Sequence, residues 1–169
     1  MLVFGCWRLE LLERPEGLTW DWRVRQIARF SSSRDDIVII ALDQSSLDWM
    51  QREQGLVWPW PREVYAAVVD FCAEARSASL TLDVLYSEPS SYGSEDDARL
   101  GSAIARHGRV TLPFILGRET GSHDHWPEWA ARSLLSLTQP PPPAWPQGRR
   151  ATFTIPEIAA QAVLGNAQG

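Results

Sequence analysis

The chain has 169 residues, of which 44% are hydrophobic, and its formal net charge is -5. This length suits one domain with its own core and is short for two domains. The acidic balance, without any cluster of basic residues, argues against nucleic acid as a partner, and no run approaches the roughly 20 apolar residues that cross a bilayer.

The first thirty residues predict a helical arm, and the segment after them predicts a buried strand. Residues 7–30 follow a helical pattern, with a break expected at residues 14–17 because they include a proline and a glycine. The β-branched run DIVIIALD at residues 36–43 is typical of a strand that is buried on both faces. Ser45 or Ser46 is then placed to cap a short helix.

Two helices and two more strands follow in alternation. The apolar residues after the segment WPWPR have helical spacing and are predicted to face the core: Val64, Val68, Phe71, Cys72 and Ala75. Residues 79–87 predict the second strand, residues 96–108 a helix that Gly108 ends, and residues 109–117 the third strand. This alternation predicts an α/β fold with a central, mostly parallel sheet and helices on both faces.

The composition of the chain changes after Gly117. Residues 118–150 are rich in Pro, Ser and Trp and hold four consecutive prolines, which predicts a long, flexible and poorly packed insertion. A short strand is predicted at residues 151–156 and a final helix at residues 157–165. The predicted parts are a helical arm (1–30), an α/β core (31–117), the insertion (118–150) and a last strand and helix (151–169). We expect the domain to continue beyond Gly169.

Two carboxylates lie at the carboxyl ends of predicted strands. Asp43 follows the first strand and Asp83 lies late in the second. Ligands of open α/β sheets bind at this edge, where two carboxylates are able to hold a divalent cation or to act as acid and base. The alternative is structural: each carboxylate caps a loop or pairs with an arginine.

The segment WPWPR predicts a stiff entry into the following helix. A residue that precedes proline is restricted to extended backbone, so Trp58 and Trp60 are held extended, and Pro61 suits the first helical position. Arg62 is then a cation in the first turn, where the helix dipole disfavours it. We expect Arg62 to pair with Asp43, Asp83 or both. The alternative is an anionic ligand held by Arg62 and the helix N-terminus.

The remaining candidates point to no chemistry of their own. The pair Trp58 and Trp60 is typical either of an aromatic ligand cage or of a plug at the end of a core. His123 and His125 are too few for a metal site. Cys72 is expected to be a buried free thiol. The sequence lacks a phosphate-binding loop and a nucleophile elbow, so we predict no catalytic residue, metal or cofactor.

The assembled motifs resemble the second family of CHASE domains, which are extracytoplasmic sensory modules of bacterial receptor kinases and cyclases. The similar strings are WDWRVR, IVIIALDQSSL, WPWPREVYAAVVDFC, LTLDVLYSEPS and DDARLGSAIARHGRVTLP, in this order, across residues 18–117. IPEIAAQAVLGNAQG resembles a further family segment. The positions that match family motif residues are Asp21, Arg23, Asp43, Ser46, Trp60, Pro61, Arg62, Asp83 and Glu88.

The resemblance implies a signal-input module outside the cytoplasmic membrane, joined to a cytoplasmic output through membrane segments that lie outside this chain. It implies no catalysis within the domain and leaves the small-molecule or protein signal open. A homodimer is a further possibility. Candidates for ligand binding or for structural roles are Asp43, Ser46, Trp58, Trp60, Arg62, Asp83 and Glu88. The rival functions are a metal-assisted hydrolase or phosphotransferase that uses Asp43 and Asp83, and a protein-interaction module that uses the Trp/Pro-rich insertion.

Overall fold

The structure, a computed structural model, describes residues 13–27, 36–117, 119–134 and 148–166. The chain forms two compact units, residues 1–48 and residues 49–169. Among the described residues, every helix is too short or too polar to cross a membrane.

The first unit contains helix α1 at Glu13–Ile27. The predicted break at residues 14–17 is wrong, because the helix runs through them. Pro15 lies in the first turn, where its missing N–H removes no helical hydrogen bond. The other predicted parts of the arm, residues 7–12 and 28–30, lie outside the described residues.

The predicted first strand is also wrong. Residues 37–43 form no regular secondary structure, and their large apolar side chains are exposed, with Val38 82% and Ile39 85% accessible. A β-branched run favours extended backbone, but a strand also needs a neighbour for its N–H and C=O groups. The described residues of this unit hold no strand that would supply one. Helix α2, Gln44–Trp49, follows and continues as a π-helical turn at Met50–Gln54.

The second unit is a mixed α/β structure built around a four-stranded sheet. In chain order it contains α3 (Arg62–Glu74), β1 (Leu80–Thr81), α4 (Ser94–His107), β2 (Val110–Gly117), a 3-10 helix (Glu128–Ser133), β3 (Arg150–Phe153), α5 (Pro156–Ala159) and β4 (Val163–Asn166). The α/β class is therefore confirmed. Gly108 ends α4 with a left-handed φ of 75°, as predicted.

Strand β2 is the centre of the sheet. It pairs in parallel with β1 at its start and with β4 across residues 111–114, and antiparallel with β3 across residues 114–117. Of the predicted second strand, only Leu80–Thr81 joins the ladder. The predicted final helix is limited to Pro156–Ala159, and the residues after it form β4, because their backbone pairs with β2.

Helices α3 and α4 pack side by side and supply much of the core. On α4, the predicted inward residues Leu100, Ala103 and Ile104 are fully buried. On α3 the predicted stripe is displaced by about one residue, which turns the buried face by roughly 100°. The buried residues are Tyr65, Ala66, Val69 and Cys72. Phe71, predicted to face inward, is 66% exposed.

The described part of the predicted insertion is packed onto the sheet. Trp126 makes edge-to-face contacts with Phe114 of β2 and Phe153 of β3, at ring-centroid distances of 5.2 and 5.1 Å. Trp129 also contacts Phe153, and Ala130 is buried. Residues 119–134 therefore differ from the poorly packed excursion that the composition predicts, while residues 135–147 lie outside the described residues.

Candidate functional site

Asp43 caps helix α2. Its Oδ1 accepts hydrogen bonds from the Ser46 N–H at 2.9 Å, from the Ser46 hydroxyl at 2.8 Å and from the Ser45 hydroxyl at 2.7 Å. These bonds, with that from the Ser45 side chain the largest cause, lower the pKa of Asp43 to about 2. The helix cap is thus Asp43 itself, and Ser46 acts as its donor and not as the cap that the sequence predicts.

The N-terminus of α3 is occupied by a carboxylate from α4. Both oxygens of Asp96 are used: Oδ2 accepts from the Arg62 N–H at 2.7 Å, and Oδ1 accepts from the Glu63 N–H at 2.9 Å. Pro61 is the residue before the first helical position, which Arg62 occupies. Because Asp96 already satisfies the first two N–H groups, it takes the place that the sequence offered to an anionic ligand.

The Arg62 side chain lies at the centre of a polar network. Its Nε donates to Asp97 Oδ1 at 3.3 Å, and its Nη2 donates to the backbone carbonyl of Glu88 at 3.2 Å. Its guanidinium carbon lies 4.4 Å from the centre of the Tyr86 ring, which is cation–π distance. The expected ion pair of Arg62 is therefore present. Its carboxylate partner is Asp97, and not Asp43 or Asp83, the strand-end residues that chain order suggested.

Ser90 completes the network from the loop before α4. Its N–H donates to Asp97 at 2.9 Å, and its hydroxyl donates to Asp96. Burial alone would raise the pKa of Asp96, but the hydrogen bonds from Ser90 and from the two N–H groups of α3 outweigh it, and the pKa is lowered. Asp96 and Asp97 are both buried, and the oxygens of both side chains accept hydrogen bonds from these donors.

The two tryptophans of WPWPR have different environments. Trp60 is 4% exposed and contacts Tyr65, whereas Trp58 is half exposed and meets Trp60 edge-to-face at 5.8 Å. Tyr65 in turn contacts Tyr86 at 5.6 Å. Trp60 therefore plugs the core, as one of the two interpretations predicted, and Trp58 presents a ring to solvent. Burial raises the pKa of Tyr86.

Two buried polar atoms of this aromatic cluster have no protein partner. They are Trp60 Nε1 and the Tyr86 hydroxyl. A Trp N–H only donates, and a Tyr hydroxyl donates readily. The aromatic cluster therefore has two hydrogen-bond donors without an acceptor in the protein. The neighbouring carboxylates Asp96 and Asp97 already accept hydrogen bonds from other groups.

Asp83 and Glu88 both have exposed side chains. Glu88 contributes its backbone carbonyl to Arg62. Asp83 lies in the segment between β1 and Ser90, whereas Asp43 belongs to the first unit. Among the described residues, no group of three His, Cys, Asp or Glu side chains is arranged to hold a metal ion.

A serine–histidine pair lies away from this network. Ser77 Oγ and His107 Nε2 are 2.8 Å apart, and His107 Nδ1 accepts from the Arg109 N–H at 3.3 Å. Since Nδ1 accepts this hydrogen bond, it carries no proton, and Nε2 is the ring nitrogen that donates to Ser77. A general base for a serine nucleophile needs the opposite arrangement, so this geometry is structural.

The sequence reasoning missed Asp96, Asp97 and Ser90. The available signal was the acidic first turn of α4, SEDD, which the helix dipole favours in its own right. Nothing in that pattern says that the carboxylates reach a second helix 33 to 35 residues earlier in the chain.

Comparison with known proteins found no similar curated protein and no similar solved structure. The family model described as CHASE2 domain, a family of sensory domains, matches residues 1–168. The match spans nearly the entire chain, and the motif resemblance described above falls within it. This chain therefore belongs to the CHASE2 domain family.

Proposed function

We propose that this domain is the signal-input module of a bacterial membrane receptor and works on the outer side of the cytoplasmic membrane. The observation that carries the proposal is membership of the CHASE2 family across residues 1–168. In this role the domain needs no catalysis of its own. Its output lies in a cytoplasmic effector, reached through membrane segments outside this chain.

The loops that bear Trp58 and Tyr92 are the proposed contact surface for the signal, a small molecule or a protein. The Tyr92 hydroxyl donates to the Pro59 carbonyl at 3.4 Å, which ties the loop before α3 to the loop before α4. Both aromatic rings are about half exposed. Exposed aromatic side chains on loops that rigid helices hold in place are suited to binding.

Arg62 would transmit a movement of these loops to the helices. It contacts Glu88 in one loop, Asp97 at the start of α4 and, through its own N–H, Asp96. A ligand that displaces the Tyr92 loop therefore pulls on the starts of both helices. Such coupling requires that the two ends of the network move together.

Topology reporters test the location. Alkaline phosphatase, which is active outside the cytoplasm, and green fluorescent protein, which fluoresces inside it, are fused separately within this domain in its full-length parent polypeptide. We expect phosphatase activity and no fluorescence. Fluorescence without phosphatase activity would place the domain in the cytoplasm and overturn the proposal.

A second experiment tests the coupling in the same parent receptor. The double variant Arg62→Met/Asp97→Asn removes the ion pair without leaving a buried charge. We expect it to remain folded and to lose most of the ligand-dependent output. The control Asp124→Asn changes an exposed residue, paired with His125, outside the network and should retain the output. Full signalling by the double variant would contradict the role given to Arg62.

A further inference from the structure

The outward surface between α3 and α4 holds a pit with a volume of about 450 Å³. Its floor is made of small side chains: Ala66, Ala67, Ala98 and Ser102. Ala67, Ala98 and Ser102 are exposed, so the pit is open to solvent along the two helices. Sites for small molecules typically enclose about 70–90% of their ligand, which an open pit of this kind does not do. A protein surface is the better fit.

Two ion pairs cross the pit from helix to helix. Arg99 of α4 pairs with Glu63 of α3, and Arg106 pairs with Asp70 at 2.7 Å. On each helix the two charged residues are seven positions apart, which places the pairs roughly 10 Å from each other. The same order along both helices means that α3 and α4 run in the same direction. The pit is therefore an apolar hole with a positive and a negative group at either end.

Phe71 projects from the same outward surface. It is 66% exposed, and it follows Asp70, one of the two acidic residues of the ion pairs. A large exposed ring one turn beyond Ala67 is a knob beside a hole of small residues. Buried aromatic anchors that fill pockets are the usual source of binding energy in protein interfaces.

We propose that this α3–α4 face is a homodimer surface, in which Phe71 of each copy inserts into the pit of the other. Because one chain carries both the knob and the hole, a two-fold axis between two copies satisfies both at once. The charges favour the same partner. The acidic and basic residues of the pit pair within one chain, so the pit carries balanced charge. A second copy brings the same balance, whereas a strongly acidic or basic protein would meet like charges in every pit.

The dimer of the isolated chain is expected to be weak. Helices α3 and α4 have 13 and 14 residues, so each is only about 20 Å long. Such a face is smaller than the roughly 800 Å² per partner of a standard stable interface. We therefore expect dissociation in the micromolar to millimolar range, with association strengthened where a membrane keeps two copies close. This inference concerns a surface distinct from the loops of the proposed signal site and stands independently of it.

Sedimentation velocity of the full chain between roughly 10 µM and 1 mM, the range that corresponds to weak association, tests the proposal. The wild-type sedimentation coefficient should rise with concentration toward that of a dimer. Phe71→Ser removes the knob and Ser102→Trp fills the hole, so each should stay monomeric across the range. Val163→Ser, which removes an exposed apolar side chain on β4, is the matched control and should behave as wild type.

Circular dichroism of each variant establishes that it is folded before it is compared. A folded Phe71→Ser chain that dimerises as strongly as wild type would overturn the proposal. So would a wild-type chain that is monomeric over the whole concentration range, and so would equal loss of dimer in Val163→Ser.

Discussion

Arg62 and Asp97 form a nearly buried ion pair, with side chains 15% and 3% exposed and a distance of 3.3 Å between Nε and Oδ1. Burying two charges costs solvation free energy, which their mutual attraction and their further hydrogen bonds offset. Ser90 and the Glu88 carbonyl supply those bonds. Removing one of the two residues leaves the charge of the other buried without a partner, which should lower the free energy of unfolding by a measurable amount.

Arg62→Ala is expected to lower the free energy of unfolding by roughly 3–5 kcal/mol, because it leaves the Asp97 carboxylate buried without its cation. Arg62→Met combined with Asp97→Asn should cost less than Arg62→Ala alone. Urea denaturation of the three chains measures the difference. As a control, Arg99→Ala breaks an exposed pair and should cost under about 1 kcal/mol. Equal stability of Arg62→Ala and wild type would show that the Arg62–Asp97 ion pair does not stabilise the domain.

Asp96 should make stability depend on pH in the acid range. Its pKa in the folded state lies below the ordinary value of 3.8, so its contribution is fully present above that value and is lost as the pH falls through the folded-state pKa. The difference in unfolding free energy between wild type and Asp96→Asn should be constant above about pH 5 and should shrink below about pH 4. Urea denaturation from pH 3 to 6 measures it.

The control for this titration is Glu95→Gln, an exposed neighbour in the same helical turn. It should follow the wild-type curve. A difference between wild type and Asp96→Asn that does not vary with pH would mean that the carboxylate is not ionised in its cap.

Gly101→Ala should destabilise the domain even though alanine favours helices. A Cβ at this position would lie 2.1 Å from the backbone carbonyl oxygen of Glu157, so α5 would have to move. Overpacking of this kind costs about 1–3 kcal/mol. The adjacent exposed substitution Ser102→Ala should be neutral or slightly stabilising. Thermal melts compare the two, and a Gly101→Ala chain that melts above wild type would show that the two helices separate freely.

Asp43 and Asp83 should not act together as a catalytic metal pair. The Asp43 carboxylate is already held by three donors from Ser45 and Ser46, so a cation would have to displace the cap. Isothermal titration with Mg²⁺ and with Mn²⁺ is expected to detect no tight site in the full chain. Tight binding that Asp43→Ala abolishes would contradict this expectation and support the alternative function of a metal-assisted hydrolase or phosphotransferase.

Local patterns predicted the elements whose type and bounds are determined by their own residues. The α4 stripe of Leu100, Ala103 and Ile104, its stop at Gly108 and the strand at Val110–Gly117 were all predicted, because helix periodicity and caps are local properties. The failures involve partners that are distant in the chain. Residues 37–43 have strand composition without a ladder, and the segment after Ala159 pairs with β2 although its composition suits a helix.

The sequence predicted Arg62, the residue at the centre of the candidate site, but not the carboxylates that surround it. The unfavourable position of Arg62 in a first helical turn correctly implied a nearby carboxylate. Chain order suggested the strand ends, but the packing of α3 beside α4 brings Asp96 and Asp97 closer instead. The packing of two helices depends on every side chain between them, and no single motif encodes it.

The central position of β2 determines which part of the second unit opens last. Its backbone is bonded to β4 on one side and to β1 and then β3 on the other, so releasing its amides requires three strands to separate. We therefore expect the amide hydrogens of Leu112 and Phe114 to exchange with deuterium only on global unfolding, while those of Leu80–Thr81 exchange through local opening. A change of shape in this unit would then consist of helices and loops that move around a strand which itself stays in register.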